Sequence, residues 1–218
     1  MSTQAKTKVA IIGAGNVGGN LGALVSKAGF PVRFGVKDGS DTKEVLAKCT
    51  PETAATDSAS AAAWADVVFL AVPGTVAVAV AKELAKSLEG KVVVDCNNPL
   101  TWSEGPVWAP PPEGSLAAAI AKAASGSRVV KGFNQFGAEF HGDPKLPGGG
   151  ADVFFASDDA EAKKLVSELA TSWGFHAVDA GPLRNAAVLE NVAMMWIHLA
   201  LVGGQGRDFV LGMRRRER

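Results

Sequence analysis

The sequence has no tyrosine among its 218 residues and only two cysteines, Cys49 and Cys96. Without tyrosine, the chain cannot carry the tyrosine–lysine pair that donates a proton in many carbonyl reductases. The two cysteines lie far apart and outside any C-x-x-C or cysteine–histidine pattern, which argues against a disulfide framework and a structural zinc site. We therefore predict a protein of a reducing compartment with no bound metal.

The sequence also lacks an excess of charge of either sign and lacks long hydrophobic runs. Its 22 basic and 22 acidic side chains give a formal net charge of zero, so no global field attracts nucleic acid or an anionic membrane. No apolar run approaches the roughly 20 residues that span a bilayer, and the polar start "MSTQAKTK" leads directly into a strand. These absences predict a cytoplasmic protein with small-molecule partners, no nucleic acid and no membrane.

What is present is an alternation of short β-branched runs and alanine-rich helical stretches. The predicted strands are "KVAII", "FPVRFG", "DVVFLAV", "KVVVDC", "RVVKGF", "ADVFFA" and "FHAVDA". Because these runs are nearly continuous in apolar residues, they are typical of parallel strands with helices on both faces. Helices are predicted at 16–28, 75–88, 115–124 and 159–173, with a short one at 57–65. The pattern predicts an α/β fold with a doubly wound parallel sheet.

A glycine turn follows the first strand, in "VAIIGAGNVGGNLG", with G-x-G-x-x-G spacing. Gly13 permits a tight turn, Gly15 lets the backbone approach a pyrophosphate, and Gly18 lets the new helix pack against the strand. The start of that helix offers free N–H groups and a positive dipole end. In this strand, turn and helix order, the spacing predicts dinucleotide binding rather than a purely structural turn.

The end of the second strand, "VRFGVKDGSD", bears on which dinucleotide is bound. Gly35 and Val36 occupy the position where an acidic side chain would bind the ribose 2′-OH, and Lys37 is the first polar side chain that follows. This register favours a 2′-phosphate and therefore NADP, with Ser40 as a helper. Asp38 remains the alternative, because a slip of two residues would make it the ribose ligand of NAD.

Two parts of the chain depart from the alternating pattern. After the last strand, "NAAVLENVAMMWIHLALVGG" has apolar residues at helical spacing and no strand follows it. We therefore divide the chain into a Rossmann dinucleotide-binding domain, 1–183, and a small C-terminal helical region, 184–218. The interval "NPLTWSEGPVWAPPPEGS" is predicted as a long loop beyond a strand's carboxyl end, where residues 102–112 form either a lid or a surface-packed loop.

Several later motifs are more particular than the glycine turn. In "IIGAGNVG", "VVFLAVP", "VVVDCNNPL" and "VVKGFNQFGAE" the sequence resembles the NADPH-dependent oxidoreductases of the deazaflavin coenzyme F420, and "DAGPLRNAAVLENVAMMWIHLALVGGQGRDF" looks like that family's C-terminal signature. The resemblance covers nearly the whole chain and implies NADP(H) as cofactor and coenzyme F420 as co-substrate. Where the family commonly has Ser-Arg, this chain has Val36-Lys37, and lysine lacks the bidentate fork of arginine. Its "NNP" likewise replaces Thr-Asn-Pro.

The resemblance also implies which residues surround the ligands. The predicted cofactor-binding residues are Gly13, Gly15, Asn16, Val17, Gly18, Val36, Lys37, Ser40, Ala71, Val72, Pro73, Asn97, Pro99 and Asn134. The predicted substrate-side residues are Leu100, Phe136, Met195 and His198. No catalytic acid or base is assigned, because hydride transfer between two rings mainly requires that the protein position them and exclude water.

Three of the residues considered keep competing interpretations. Met195 belongs to the run Met194 to Trp196, which either covers a flat ring or packs into the core or against a second subunit. His198 either contacts substrate or sits at a packing interface. We expect His141, in "EFHGDP", to be exposed to solvent rather than to face the cleft. The resemblance further implies a homodimer.

We therefore predict an oxidoreductase that transfers a hydride between NADPH and coenzyme F420. Fold and cofactor do not determine the acceptor, so two alternatives remain. One is an NADPH-dependent reductase of the same fold acting on a flavin, a chelated metal ion or a small carbonyl or imine compound. The other is a non-catalytic NADP-binding sensor.

Overall fold

The computed structural model describes residues 6–214 and residue 216. Its strands are β1 (Val9–Ile12), β2 (Val32–Val36), β3 (Ala54–Asp57), β4 (Val67–Leu70), β5 (Val92–Asp95), β6 (Leu100–Trp102), β7 (Pro106–Trp108), β8 (Arg128–Lys131), β9 (Lys145–Leu146), β10 (Gly149–Gly150), β11 (Asp152–Phe155) and β12 (His176–Asp179). Its helices are α1 (Asn16–Lys27), α2 (Lys43–Leu46), α3 (Ser58–Trp64), α4 (Gly74–Glu83), α5 (Ala85–Leu88), α6 (Leu116–Ala123), α7 (Ala160–Ser172) and α8 (Ala186–Leu201), with 3-10 turns at Ala138–His141 and Leu183–Asn185.

The central sheet has six parallel strands in the order β3-β2-β1-β4-β5-β8. Successive side chains of a strand point to opposite faces, so β1 places Val9 and Ile11 in one core and Ala10 and Ile12 in the other. The first core also takes residues of α1 and α7, and the second those of α3, α4 and α6. The predicted doubly wound sheet is confirmed.

The last two predicted strands do not extend this parallel sheet. β11 and β12 form their own parallel pair, and β11 meets β8 through one antiparallel bridge between Lys131 and Ala156. A parallel neighbour normally needs a helical crossover. Between β8 and β11 the chain instead forms a 3-10 turn and the β9–β10 hairpin, so β11 runs opposite to β8. The expectation of one continuous parallel sheet is wrong at this edge.

The predicted helices are observed near their expected ends, and side-chain caps start three of them. Asp57 accepts a hydrogen bond from the Ser60 amide at the start of α3, Ser115 accepts one from Ala118 at α6, and Asp159 accepts one from Ala162 at α7. Such caps typically contribute about 1 kcal/mol each. The predicted helix at 75–88 is divided into α4 and α5, whereas the edge strand β3 and the short α2 were not predicted.

The C-terminal part begins with the 3-10 turn at Leu183–Asn185 and continues into α8. Residues Met1 to Ala5, Arg215, Glu217 and Arg218 lie outside the described residues, so the predicted region 184–218 is seen only in part. Within the residues that are described, none of the helices is long and apolar enough to cross a bilayer.

Candidate functional site

Close backbone packing shapes the glycine turn between β1 and α1. Gly13 has a φ of 105°, and a Cβ at this position would lie 2.3 Å from the Ala71 carbonyl oxygen. A Cβ on Gly18 would lie 2.1 Å from the Gly13 carbonyl oxygen. Both positions therefore require glycine, for the turn and for the packing of α1, as the sequence predicts.

The start of α1 is open. Gly15 is its N-cap, no side chain caps the helix, and the first turn has no acidic residue. A Cβ on Gly15 would have no atom within 4 Å, so there is free space beside the backbone. The first amides of a helix have no partner within it. This end of α1, with Asn16 and Val17 beside it, fits the pyrophosphate of a dinucleotide.

The end of β2 borders a surface depression of about 330 Å³. Lys37 follows β2 directly and lines this depression with Ser40, while Val36 is half-buried against the core. The depression also contains two acids, Asp38 and Asp57. Ser60 lowers the pKa of the Asp57 carboxyl group, first through its side chain and then through its N–H, which donates at 2.8 Å. Lys37 could therefore contact a 2′-phosphate in this depression. The carboxylates of Asp38 and Asp57 line it as well and would repel the phosphate.

The end of β4 passes above the glycine turn. The Ala71 amide donates to the Ile12 carbonyl at 2.9 Å, and Val72 lies beside Gly13. Pro73 is exposed and is the N-cap of α4. These three predicted residues therefore lie at the same edge of the sheet as the start of α1.

The two asparagines after β5 have different roles. Asn97 is buried, and its amide donates to Asp95 at 2.9 Å, so its side chain points into the protein. Asn98 forms a reciprocal pair with Asn134, whose amide donates to the Asn98 side-chain oxygen at 2.8 Å. The expectation that the Asn97 side chain lines the cleft is therefore corrected to Asn98. Pro99 is also buried, and its carbonyl accepts from Ala109.

One apolar cleft of about 380 Å³ connects these elements. It brings together the start of α1, the asparagine pair, β6 and one face of α8. Its lining residues are Asn16, Val17, Asn98, Leu100, Trp102, Asn134, Phe136, Gly137, Ala138, Trp196, Ile197, Leu201 and Arg207. The predicted substrate-side residues Leu100 and Phe136 are thus adjacent to the predicted cofactor-binding residues Asn16, Val17 and Asn134.

The other two predicted substrate-side residues lie elsewhere. Met195 is 52% exposed and His198 is exposed on the solvent side of α8, with His198 beside the turn at Gly105. Trp196 and Ile197 occupy the cleft face instead. Because successive helical residues are about 100° apart, an error of one residue selects a different face. The structure therefore places Trp196 and Ile197, and not Met195 and His198, on the face of α8 that lines the cleft.

The interval predicted as a long loop contains a hairpin of β6 and β7. Leu100 pairs with Trp108 and Trp102 with Pro106 in an antiparallel register. Glu104 adopts a φ of 54° in the tight turn between the strands. The indole N–H of Trp108 donates to Glu190 on α8 at 3.0 Å. This segment is therefore a tethered wall of the cleft.

A buried ionic cluster lies beneath the cleft, and the sequence analysis missed it. The Lys131 ammonium is 2.8 Å from Asp95 and 3.2 Å from Glu190, and all three side chains are fully buried. Removing such charges from water costs several kcal/mol per ion, which their mutual attraction offsets only in good geometry. The available signal was the presence of a charged residue at the ends of the apolar runs "VVVD" and "RVVK" and inside the apolar helix α8.

The segment after β8 is held by His141, which is buried rather than exposed as predicted. One ring nitrogen, Nε2, lies 2.7 Å from the Phe133 carbonyl oxygen, and Nδ1 lies 3.2 Å from that of Gly137. Burial lowers the pKa of His141 to about 4, so the ring is neutral at pH 7. Phe133 has a φ of 59°, unusual for a bulky residue, and directly precedes Asn134. His141 thus stabilises the turn that presents Asn134.

The mouth of the cleft carries a further charged residue, Arg207, which was not predicted. Its guanidinium donates to Glu139 at 2.7 Å and lies 5.6 Å from the ring of Trp196. Arg207 lowers the pKa of Glu139. Because both partners are about half exposed, this ion pair contributes little to stability.

Among the described residues that line the cleft, Arg207 is the single ionisable side chain, so they include no acid–base pair. In residues 6–214 and 216, no group of three or more histidines, cysteines or carboxylates is arranged to hold a metal ion. Burial raises the pKa of Cys96, so this side chain stays a thiol. The arrangement is suited to binding an anionic dinucleotide at α1 and a flat apolar group beside it.

Comparison with known proteins agrees with this arrangement. A family model described as NADP oxidoreductase coenzyme F420-dependent matches residues 8–99. An F420-dependent NADP reductase from Methanothermobacter marburgensis is 30% identical over 210 residues, covering 88% of this chain and 92% of the relative. The metalloreductase STEAP3 of Rattus norvegicus is 29% identical over 188 residues, which cover 86% of this chain but 36% of that protein.

The fold is also similar to solved structures. A crystal structure of an F420-dependent NADP-reductase candidate from Arthrobacter sp. FB24 has a TM-score of 0.85 and 29% identity. The alignment covers 96% of this chain and 100% of that one. The similarity therefore includes the C-terminal helix as well as the central sheet.

Proposed function

We propose how this chain acts from one premise: it belongs to the family of F420-dependent NADP reductases. The chain is an NADP oxidoreductase that transfers a hydride between NADPH and coenzyme F420. NADP(H) is its cofactor and coenzyme F420 its co-substrate. The predicted family, reaction and cofactors are confirmed.

The proposed division of the site rests on a single observation: Asn16 and Val17, at the open start of α1, line the same cleft as Leu100 and Phe136. The pyrophosphate would bind to backbone amides from Ala14 to Gly18, where no side chain competes as a cap. The Gly13 amide already donates to the Gly35 carbonyl, so Gly13 contributes the turn. The flat acceptor would lie against the apolar wall of the cleft. The two ligands are then neighbours without any domain movement.

At the adenosine end, Lys37 and Ser40 would bind the 2′-phosphate, and Val36 would pack below it. The segment Ala71, Val72 and Pro73 would lie along the ribose and nicotinamide. On the acceptor side, Trp196 with Ile197 would supply apolar surface. Asn98 and Asn134 would form the floor of the cleft beside the nicotinamide, with the Asn134 amide engaged by Asn98 and Leu189.

When bound, NADPH would supply the hydride. The transfer of a hydride between two rings requires no proton donor from the protein. The residues of this chain therefore act by binding, orientation and exclusion of water. The aromatic and aliphatic side chains around the cleft provide that exclusion. The Asn98–Asn134 pair holds its amides in one geometry, because each side chain donates to the other residue.

The test is anaerobic mixing of purified protein with NADPH and oxidised coenzyme F420, followed by the visible absorbance of the deazaflavin. We expect rapid bleaching with NADPH. NADH, a free flavin and chelated ferric iron are parallel trials, the last because of the similarity to a metalloreductase. Tight NADPH binding by calorimetry without bleaching of coenzyme F420 would contradict the proposed reaction. Reduction of chelated iron alone would favour the alternative of a reductase that acts on a chelated metal ion.

We also propose that the region 184–218 forms a homodimer contact, separate from its contribution to the cleft. On the solvent side of α8, Val188 is 58% exposed and Met195, seven residues later, is 52% exposed. Trp102 and Val107 of the hairpin are exposed as well. Exposed apolar side chains seven residues apart lie on one side of a helix, which is typical of an interface, and a second copy of the helix is the proposed cover of this side.

Sedimentation analysis tests this proposal. We expect a dimer for the wild type and a monomer for Met195→Lys. Val76→Lys, at an exposed apolar position of α4, is the matched control and should stay dimeric. A monomeric wild type at micromolar concentration would contradict the proposal.

A cytoplasmic location is the remaining proposal. Two free cysteines, Cys49 and Cys96, support it, because thiols persist in reducing compartments. Cell fractionation with an antibody to the native protein tests it. Recovery in a membrane or extracellular fraction would contradict it.

A further inference from the structure

The buried ionic cluster described above extends beyond its three charges. Besides its ion pair with Lys131, the Glu190 carboxylate accepts the Leu116 amide at 2.8 Å through Oε1. Its other oxygen, Oε2, accepts the Trp108 indole N–H at 3.0 Å. A single side chain of α8 therefore joins β8, the start of α6 and the β6–β7 hairpin.

Two of these bonds reach the cleft. Trp108 is the register partner of Leu100, so the bond to Glu190 fixes the hairpin that places Leu100 and Trp102 in the cleft wall. Lys131 also donates to the Asn97 carbonyl, which fixes the turn that carries Asn98. The apolar wall and the amide floor thus share one point of attachment.

Stability alone does not account for this arrangement. Buried ion clusters replaced by apolar residues of similar volume are often equally stable, because the charges lose their hydration. The Glu190 carboxylate has three donors, and hydrogen bonds depend on direction as well as distance. They therefore fix the relative positions of β8, the hairpin and α6 more strictly than apolar contacts would. The Glu190 network also contacts none of the glycine-turn residues, so its geometric effect falls on the acceptor side.

We propose that Glu190 is a positioning residue for the acceptor half of the cleft. It holds the hairpin and the asparagine turn at the separation that a flat ring requires, and it contacts neither ligand. Loss of its bonds widens the acceptor site and leaves the dinucleotide site unchanged. This inference rests on the proposed function for the identity of the acceptor.

Two variants separate positioning from folding. Trp108→Phe removes one hydrogen bond to a charged group and keeps an aromatic ring, and we expect the KM for coenzyme F420 to rise about tenfold. Glu190→Gln disturbs all three bonds, and we expect kcat/KM to fall roughly 10- to 100-fold through misplacement of the acceptor. The Kd for NADPH should stay within about twofold in both. Glu113→Gln, at an exposed ion pair with Lys122, is the matched control and should change neither.

A readout independent of the acceptor is amide hydrogen exchange of residues 100–108. We expect faster exchange there in Trp108→Phe and Glu190→Gln, but not in Glu113→Gln or at the start of α1. If Glu190→Gln fails to fold, Trp108→Phe decides. Unchanged hairpin exchange and unchanged KM in Trp108→Phe would overturn the proposal. A third outcome separates the two proposals: the variants exchange their hairpin amides faster than the wild type, but the wild type does not bleach coenzyme F420. This result would support positioning by Glu190 and contradict coenzyme F420 as the acceptor.

Discussion

The two walls of the cleft are built from different parts of the polypeptide. The proposed dinucleotide wall is mainly backbone: glycines, the open end of α1 and a close approach of the Ala71 carbonyl to Gly13. The proposed acceptor wall is made of side chains, namely Trp196, Phe136, the asparagine pair and the Glu190 network behind them. Backbone amides recognise a pyrophosphate in any member of the fold, whereas side chains determine which acceptor fits beside it.

The largest expected effect is a pH-dependent loss of stability through His141, which holds the turn that presents Asn134 to the cleft. The pKa of His141 is about 4 when folded and 6.5 in its ordinary state, so the unfolded chain binds a proton first as the pH falls. Stability from this group is complete above pH 6.5 and is lost towards pH 4, by about 3 kcal/mol in total.

Urea unfolding at several pH values between 7 and 4 measures this loss. His141→Gln should flatten the decline in the free energy of unfolding relative to the wild type, since it removes the titrating ring. Parallel curves for the two proteins would show that His141 is not the group responsible.

The next effect breaks the backbone wall. Gly15→Val should weaken binding of both NADPH and NADH at least about 100-fold, or about 2.7 kcal/mol, by filling the space beside the pyrophosphate. The fold should persist, because a Cβ at Gly15 meets no atom within 4 Å and its φ is −74°. Calorimetry measures binding, and an unchanged Kd with a normal melting temperature would remove the pyrophosphate assignment.

A smaller effect distinguishes the two dinucleotides. Lys37→Glu should weaken NADPH binding by roughly 1.5 to 3 kcal/mol through a lost charged hydrogen bond and added repulsion, with much less change for NADH. Equal losses for both cofactors would contradict the 2′-phosphate assignment and return Asp38 to consideration as the ribose ligand.

The smallest effect sharpens the same selectivity. Asp57 lines the depression beside Lys37, and Asp57→Asn should strengthen NADPH binding slightly through loss of a screened negative charge. Asparagine also caps helices well, so α3 should remain intact. An equal gain for NADH would mean that the effect is not electrostatic discrimination of the 2′-phosphate.

Sequence reasoning succeeded where chemistry is local. The G-x-G-x-x-G turn, the helix starts predicted at 57, 115 and 159, and the place of Lys37 after β2 all depend on neighbours within a few residues. It failed where several faces of one element are equally apolar. Around Met195 the helix is hydrophobic on most sides, so its pattern did not distinguish the exposed face from the cleft face of Trp196.

The sequence by itself therefore determined the strand and helix alternation, the doubly wound sheet and the glycine turn, because apolar periodicity and steric demand act over short distances. Only the tertiary structure decided that Asn98 rather than Asn97 pairs with Asn134, and that Glu190 meets Lys131 and Trp108. Those contacts join residues from separate elements, and their partners depend on how the strands, the hairpin and α8 pack. The proposed positioning of the acceptor depends on this second group of contacts.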